Sequence, residues 1–402
     1  MAISKPFKKG ADFEYLRKVF MRESKGGPVP VIELGADNEM MAQAAGITDF
    51  PFELAGDPIY SYVKLSEFAR QMSDLTPEQV MEMISKGGEA MKEEMQIGVK
   101  MADLSLAFSM AVGYDYVTVF PIVPILRTRS QSRENPQQRG KVRTWQDEHH
   151  GVITSRKEFE EYVWPTPDKV GVFTIDMVAP KMPPGMKVMF FYLGIFEDLK
   201  LLMGFENMAI KSIEEPELLD DILEKLTVIA VDAIDRAAAH PATGAVFYGE
   251  DMGFNTGIML TPKFMRKHVI PRHKRIADAC HKHGKPFLFH SCGQIDVLME
   301  DLIEVVGIDA KHSFADNIEP VEEVYRRYGH RIAILGGVDV DLLARGATGQ
   351  VRARARQILD VCGAGGGFAL GSGNSVTNYC NFDNYCAMID EARKWNEERG
   401  LM

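Results

Sequence analysis

From residue 180 onward the apolar positions fall into two alternating patterns. Short continuous apolar runs bounded by turn residues read as buried strands, and longer stretches with apolar residues three and four apart read as amphipathic helices. The runs at 187–193, 245–249, 287–291, 308–312, 332–335 and 368–370 predict six strands. Helices are expected after them over 216–239, 297–306, 320–329, 349–361 and 383–398, and one more opens at Thr261 as cap with Pro262 in its first turn. Two earlier runs, 29–34 and 115–119, raise the strand count to eight. Between them lies a helical stretch, with a start at Thr76 and Pro77 and an amphipathic run over 91–111.

Eight strands alternating with helices predict an α/β protein built as a (β/α)8 TIM barrel rather than an open sheet. No G-x-G-x-x-G follows the first strand, which disfavours a dinucleotide-binding fold. Residues 1–402 therefore read as one barrel with a helical insertion at 36–112 and a basic excursion at 127–151. That excursion holds Arg127, Arg129, Arg133, Arg139, Lys141 and Arg143. It reads as an anion-recognising lid, a docking patch for an acidic partner, or a solvated loop. Its end, 141–154, is expected to form a hairpin with a polar turn.

The net charge of −11 argues against nucleic acid or an anionic membrane as partner. No apolar run approaches the roughly 20 residues that span a bilayer, and the first ten residues show no apolar signal core. Five cysteines without framework spacing read as reduced thiols, so a cytoplasmic protein is expected.

In such a barrel the chemistry belongs at the C-terminal ends of the strands. Those ends carry Glu33, Glu250 and Asp251, His290 and Cys292, Lys311 and His312, Asp339, and Ser372 and Asn374. His290 and Cys292 leave the same face of a strand, with Cα atoms about 6.6 Å apart from a rise of about 3.3 Å per residue. An imidazole and a thiolate at that spacing can converge on one zinc ion, which needs at least one further protein ligand. Glu250 is the first choice for that ligand and Cys380 the second, whereas Cys386 and Cys280 fall on helices. Adjacent strand residues face opposite sides, so only one of Glu250 and Asp251 should reach the mouth. Glu250, His312 and Asp339 are candidate acid–base groups, although His312 can instead bond backbone and Asp339 can cap a loop. Asp251, Ser372 and Asn374 are candidate substrate-binding residues, with 371–375 as a backbone nest for an anion.

These residues give the chain a resemblance to the uroporphyrinogen decarboxylase superfamily, which includes corrinoid-dependent methyltransferases. The likeness rests on Leu-Gly-Ile-Phe at 193–196, Glu-Asp-Met-Gly-Phe at 250–254, Phe-His-Ser-Cys-Gly at 289–293, Leu-Gly-Gly-Val-Asp at 335–339 and Gly-Ser-Gly-Asn-Ser at 371–375. The decarboxylase branch implies arginines after the first strand and an aspartate after the second. Here those positions read Gly35-Ala-Asp-Asn-Glu-Met40 and Val119-Phe-Pro-Ile122, which argues against tetrapyrrole decarboxylation. The methyltransferase branch implies zinc on His290, Cys292 and a later cysteine, but Ser372 stands where that cysteine would fall. The resemblance thus implies methyl transfer between a small substrate and a corrinoid supplied by a partner protein, with zinc dependent on a replacement ligand and a homodimer among the expected states. The alternatives are a decarboxylase or lyase acting on a small carboxylic acid, and a non-catalytic metabolite-binding protein.

Overall fold

The computed structural model describes residues 6–8, 10–49, 93–125, 127, 130–134, 142–146 and 149–402. The expected helix start at Thr76, the middle of the 36–112 insertion, and Arg129, Arg139 and Lys141 of the basic excursion lie outside them.

Seven parallel strands form one curled sheet in which every strand pairs with its successor: β1 (Tyr116–Val119), β2 (Lys187–Leu193), β3 (Thr243–Gly249), β4 (Phe287–His290), β5 (Ala310–His312), β6 (Ala333–Leu335) and β7 (Phe368–Ala369). Sequential parallel pairing with helices between the strands is the TIM-barrel arrangement. Both faces of the sheet are covered, so β3 and β4 are buried along their whole length and read as continuous apolar runs. The intervening helices follow their sequence signals. Pro216–Ala239 carries Pro at its first turn and Arg236 in its last. Thr261 accepts from the Phe264 amide at 3.2 Å, and the Asn381 side chain opens Phe382–Glu398 by accepting from the Asp383 amide at 2.9 Å. No helix among the described residues is long and apolar enough to cross a membrane.

The helix expected over 297–306 is present, as a 3-10 turn, Asp296–Leu298, that runs on into a π-helical turn, Asp301–Val306, and ends at Gly307, whose φ is 79°. Two expectations are corrected. Segment 142–146 pairs antiparallel with 130–134 rather than folding back on the residues that follow it. Residues 29–34 do not form a strand. Val31 makes an isolated parallel bridge to Leu370, with Ile32 N–H to Leu370 O and Leu370 N–H to Pro30 O each at 2.9 Å. Pro28 and Pro30 have no N–H to offer a ladder, which limits the pairing to this one step.

On the other side of that segment a side chain closes the seam toward β1. The Tyr116 hydroxyl accepts from the Glu33 N–H and donates to the Glu33 carbonyl, both at 2.7 Å. Removing that hydroxyl leaves two buried backbone groups without partners, at roughly 1–3 kcal/mol for such a buried group. Tyr116→Phe is accordingly expected to lower unfolding stability in urea by about that amount while keeping the far-ultraviolet spectrum of the wild type.

Candidate active site

β4 ends at His290, and the chain continues through Ser291 to Cys292 at the barrel mouth. His290 Nε2 lies 3.3 Å from Cys292 Sγ and 3.3 Å from Asp251 Oδ1, and the three groups present donor atoms all within 4.8 Å of one another. The Cys292 N–H donates to Asp251 Oδ1 at 2.9 Å, so backbone and side chain hold the carboxylate on the same spot. Gly293 turns the strand end away with φ 78°, and a Cβ there would stand 2.2 Å from the Gly253 backbone. Only glycine allows that close approach.

Asp251, placed by sequence among the substrate-binding residues, therefore joins the ligand cluster, and Glu250 does not. Successive residues leave opposite sides of a strand, and Glu250 turns outward into a fully buried site. It accepts from the Phe196 N–H at 2.9 Å, the Glu197 N–H at 3.0 Å and His273 Nε2 at 2.6 Å. There it caps the helix Ile195–Met203, as a carboxylate does at the positive end of a helix.

Burial works against an ionised Asp251, but the His290 hydrogen bond and charge, with Lys200 behind them, outweigh it and hold the carboxyl well below the usual range. Burial pushes the Cys292 thiol up, and Asp251 adds to the effect, against hydrogen bonds from Ser313 and Asn374. His312 lies behind His290, with the two Nδ1 atoms 2.8 Å apart. Burial, reinforced by His290 and Lys311, drives the pKa of His312 well below that of a free imidazole, so its ring is neutral. When His290 Nε2 faces a metal, its Nδ1 carries the proton and donates to His312, the outer partner that fixes a ligating ring. His312 is wholly buried and is not part of the cleft wall beside Cys292, which leaves it placed to support His290 rather than to meet the cleft directly.

The remaining candidates separate cleanly. Asn374 Nδ2 donates to Cys292 Sγ at 3.0 Å. Ser372 is fully buried and its hydroxyl faces Glu33 instead. Asp339 spends its carboxylate on the Asp341 amide at 2.7 Å and the Asp316 amide at 2.9 Å, which makes it a cap. The nest at 371–375 has already committed three amides, those of Ser372, Gly373 and Ser375. The Cys380 thiol pairs with Thr377 Oγ1 at 3.5 Å, outside the cluster. Arg127 is buried in an ion pair with Asp198 at 2.6 Å, so it is no lid residue.

Three groups around the site had no assigned role in the sequence. Lys311 is buried, and its ammonium donates to the Ser313 carbonyl at 2.7 Å and the His312 carbonyl at 3.1 Å. Burial pulls its pKa down to about 8. Ser313 has φ 85°, a costly conformation for a residue with a Cβ, and its hydroxyl meets Cys292 Sγ at 3.5 Å. Lys200 pairs with Glu197 at 2.6 Å, and burial pushes Glu197 up to about 7 despite that partner. The i,i+3 spacing of Glu197 and Lys200 directly after a strand was the available signal. A cleft of 1010 Å³ opens beside Cys292, with Lys311, Phe314, Met299, Asn374 and Tyr379 on its walls.

Residues 140–395, more than half of the chain, match the family model for uroporphyrinogen decarboxylase (URO-D). The chain belongs to the uroporphyrinogen decarboxylase family. Among solved structures it is similar in fold to a methyltransferase from Methanosarcina mazei, at 14% identity and a TM-score of 0.63, over 96% of this chain and 99% of that one. A weaker similarity, with a TM-score of 0.48 and 11% identity, links 78% of this chain to 91% of a B12-independent methionine synthase from Shewanella sp. W3-18-1 in complex with selenomethionine. No curated protein matches the chain. The family placement agrees with the architecture, and the site's chemistry has to be argued from its own residues.

The Asp251–His290–Cys292 set fits zinc. Imidazole nitrogen, thiolate sulfur and carboxylate oxygen are its ligands, and three protein ligands leave a fourth position open in catalytic sites. Purified protein is expected to hold about one zinc per chain, lost in Cys292→Ala and Asp251→Ala but retained in Glu250→Gln. Elemental analysis beside a melting curve for each variant checks this, with Glu250→Gln melting earlier because one of the two oxygens that accept from the buried Phe196 and Glu197 N–H groups becomes a donor.

Proposed function

We propose that the protein transfers a methyl group between a small substrate in the cleft and a corrinoid carried by a separate protein, with zinc held by Asp251, His290 and Cys292. The observation that carries this reading is the convergence of those three donors at the edge of the cleft, where a fourth ligand could come from a substrate. Zinc bound there would supply Lewis-acid activation of the substrate atom that gains or loses the methyl group. The protein's own groups prepare that position. His312 keeps the His290 ring in one orientation, and Asn374 and Ser313 donate hydrogen bonds to the Cys292 sulfur and so favour its thiolate form. Lys311 and Lys200 place positive charge near Cys292 and Asp251. Phe314 and Met299 line the cleft with apolar surface that sheds water.

Tetrapyrrole decarboxylation, which the family's description carries, does not suit this chain. The positions that carry its arginines and aspartate hold Gly35-Ala-Asp-Asn-Glu-Met40 and Val119-Phe-Pro-Ile122. The anchor that recommended a decarboxylase acting on a small acid is weakened, because three of the 371–375 amides, those of Ser372, Gly373 and Ser375, already have partners within the protein.

The test is methylation of free cob(I)alamin by the zinc-loaded protein, with panels of methoxyaromatic compounds, methylamines and methyl thioethers as donors, followed by absorbance. Turnover with one class is expected, and it should vanish in Cys292→Ala. His312→Phe should weaken zinc affinity or activity by roughly 10- to 100-fold, as loss of an outer-layer partner does. Release of carbon dioxide from a carboxylic acid without any methylation of cobalamin would overturn the reading.

A further inference from the structure

Glu33 is wholly buried at the barrel seam, and the reaction outlined above makes no use of it. Among the described residues its carboxyl is held by one, Ser372. Ser372 N–H donates to Glu33 Oε1 at 2.8 Å, and Ser372 Oγ is in hydrogen-bond contact with both Glu33 Oε2 and the Asn374 carbonyl. A serine hydroxyl has one proton, so it cannot donate to both oxygens. If it served an ionised Glu33, the Oγ contact with the Asn374 carbonyl would hold two acceptors together with no proton between them. Among the described residues, the titratable groups that feel the carboxyl are Tyr114 and Tyr116 from the β1 side and Cys380 and Tyr385 from the C-terminal side, and none of them is a cation. An ionised carboxylate would stand there uncompensated, which is costly.

We infer that Glu33 is kept as a neutral carboxylic acid and acts as a positioning residue for Cys292. Its O–H donates to Ser372 Oγ, the Ser372 proton goes to the Asn374 carbonyl, and every oxygen in the chain is then satisfied. This pins the 371–375 turn so that Asn374 Nδ2 reaches the Cys292 sulfur at 3.0 Å. The turn has no slack, since a Cβ on Gly371 would stand 1.9 Å from the Ile32 carbonyl and one on Gly373 2.1 Å from the Phe314 carbonyl. Where the resemblance expects a cysteine, this chain thus carries a serine–glutamic acid pair that acts on the remaining cysteine through Asn374. Burial pushing the Glu33 pKa up to about 8, against the Ser372 hydrogen bonds, is consistent with this arrangement. The step from Asn374 to the metal rests on the proposed zinc site, whereas the protonation of Glu33 does not.

The experiment compares wild type with Glu33→Gln, whose amide can donate to Ser372 Oγ and accept from the Ser372 N–H as the neutral acid does. A raised pKa gives stability that is complete below the unfolded value near 4.5 and is lost as pH rises through about 8. The wild-type melting temperature should therefore fall relative to that of Glu33→Gln between pH 5.5 and 9. Parallel curves would show an ordinary carboxylate and overturn the inference. Zinc affinity, measured by competition with a chromophoric chelator, gives the second readout. Glu33→Gln should stay within about threefold of wild type, while Glu33→Leu and Asn374→Ala should weaken binding by roughly 10- to 100-fold. Equal loss in Glu33→Gln and Glu33→Leu, or no loss in Asn374→Ala, would defeat the positioning role. Wild-type protein that binds no zinc would defeat the proposed function instead, and the melting comparison would still decide the state of Glu33.

Discussion

Gly249, His290 and His312 are Cα partners across three adjacent parallel strands, and the site depends on that register. It brings the two imidazoles together, and it sets Glu250 and Asp251 one and two residues beyond the same level. In a strand the side-chain period is two, so a slip of one residue would exchange every inward group for an outward one. Asp251 would then leave the mouth and His290 would point into the helical layer. Such a register needs strong support, and β2, β3 and β4 receive it from side chains buried on both faces.

Two neighbouring carboxylates show how environment divides labour. Glu250 faces helix N–H groups and His273 behind the sheet, where it organises the helix Ile195–Met203. That helix carries Glu197 and Lys200, whose charges act on Asp251. Asp251 meets His290 and the Cys292 amide at the mouth. The structural acid thus supports the element that tunes the candidate ligand, and loss of either would be felt at the same place for different reasons.

The seam of the barrel is its other constraint. A segment with two prolines cannot complete a ladder, so Tyr116 supplies the missing hydrogen bonds on one side and a single bridge to Leu370 supplies them on the other. Glu33 sits at this join and faces the 371–375 turn. The join is therefore also where the backbone is linked to the Cys292 sulfur, through Ser372 and Asn374.

Local sequence determined most of the elements. Apolar runs with flanking turn residues marked β2 to β7 within a residue or so at either end, apart from β3, which starts two residues before its run, and β5, which starts two residues after it, and caps such as Thr261 and Asn381 mark where helices begin. The H-x-C spacing and its place at a strand end were legible as well, because both follow from a period of two. What the chain could not reveal was which neighbour each polar group would meet. Glu250 and Asp251 have the same chemistry, and only the position of the helix Ile195–Met203 decides which one turns away from the mouth. Ser372 read as a weak ligand until Glu33, more than 300 residues earlier, was seen to take its hydroxyl. Asp339 read as an acid until two amides were found on its carboxylate. Propensity and periodicity are properties of neighbouring residues, so the sequence determined the barrel and the identity of its mouth residues. Partners, burial and protonation depend on contacts between distant segments, and those the tertiary structure alone decided.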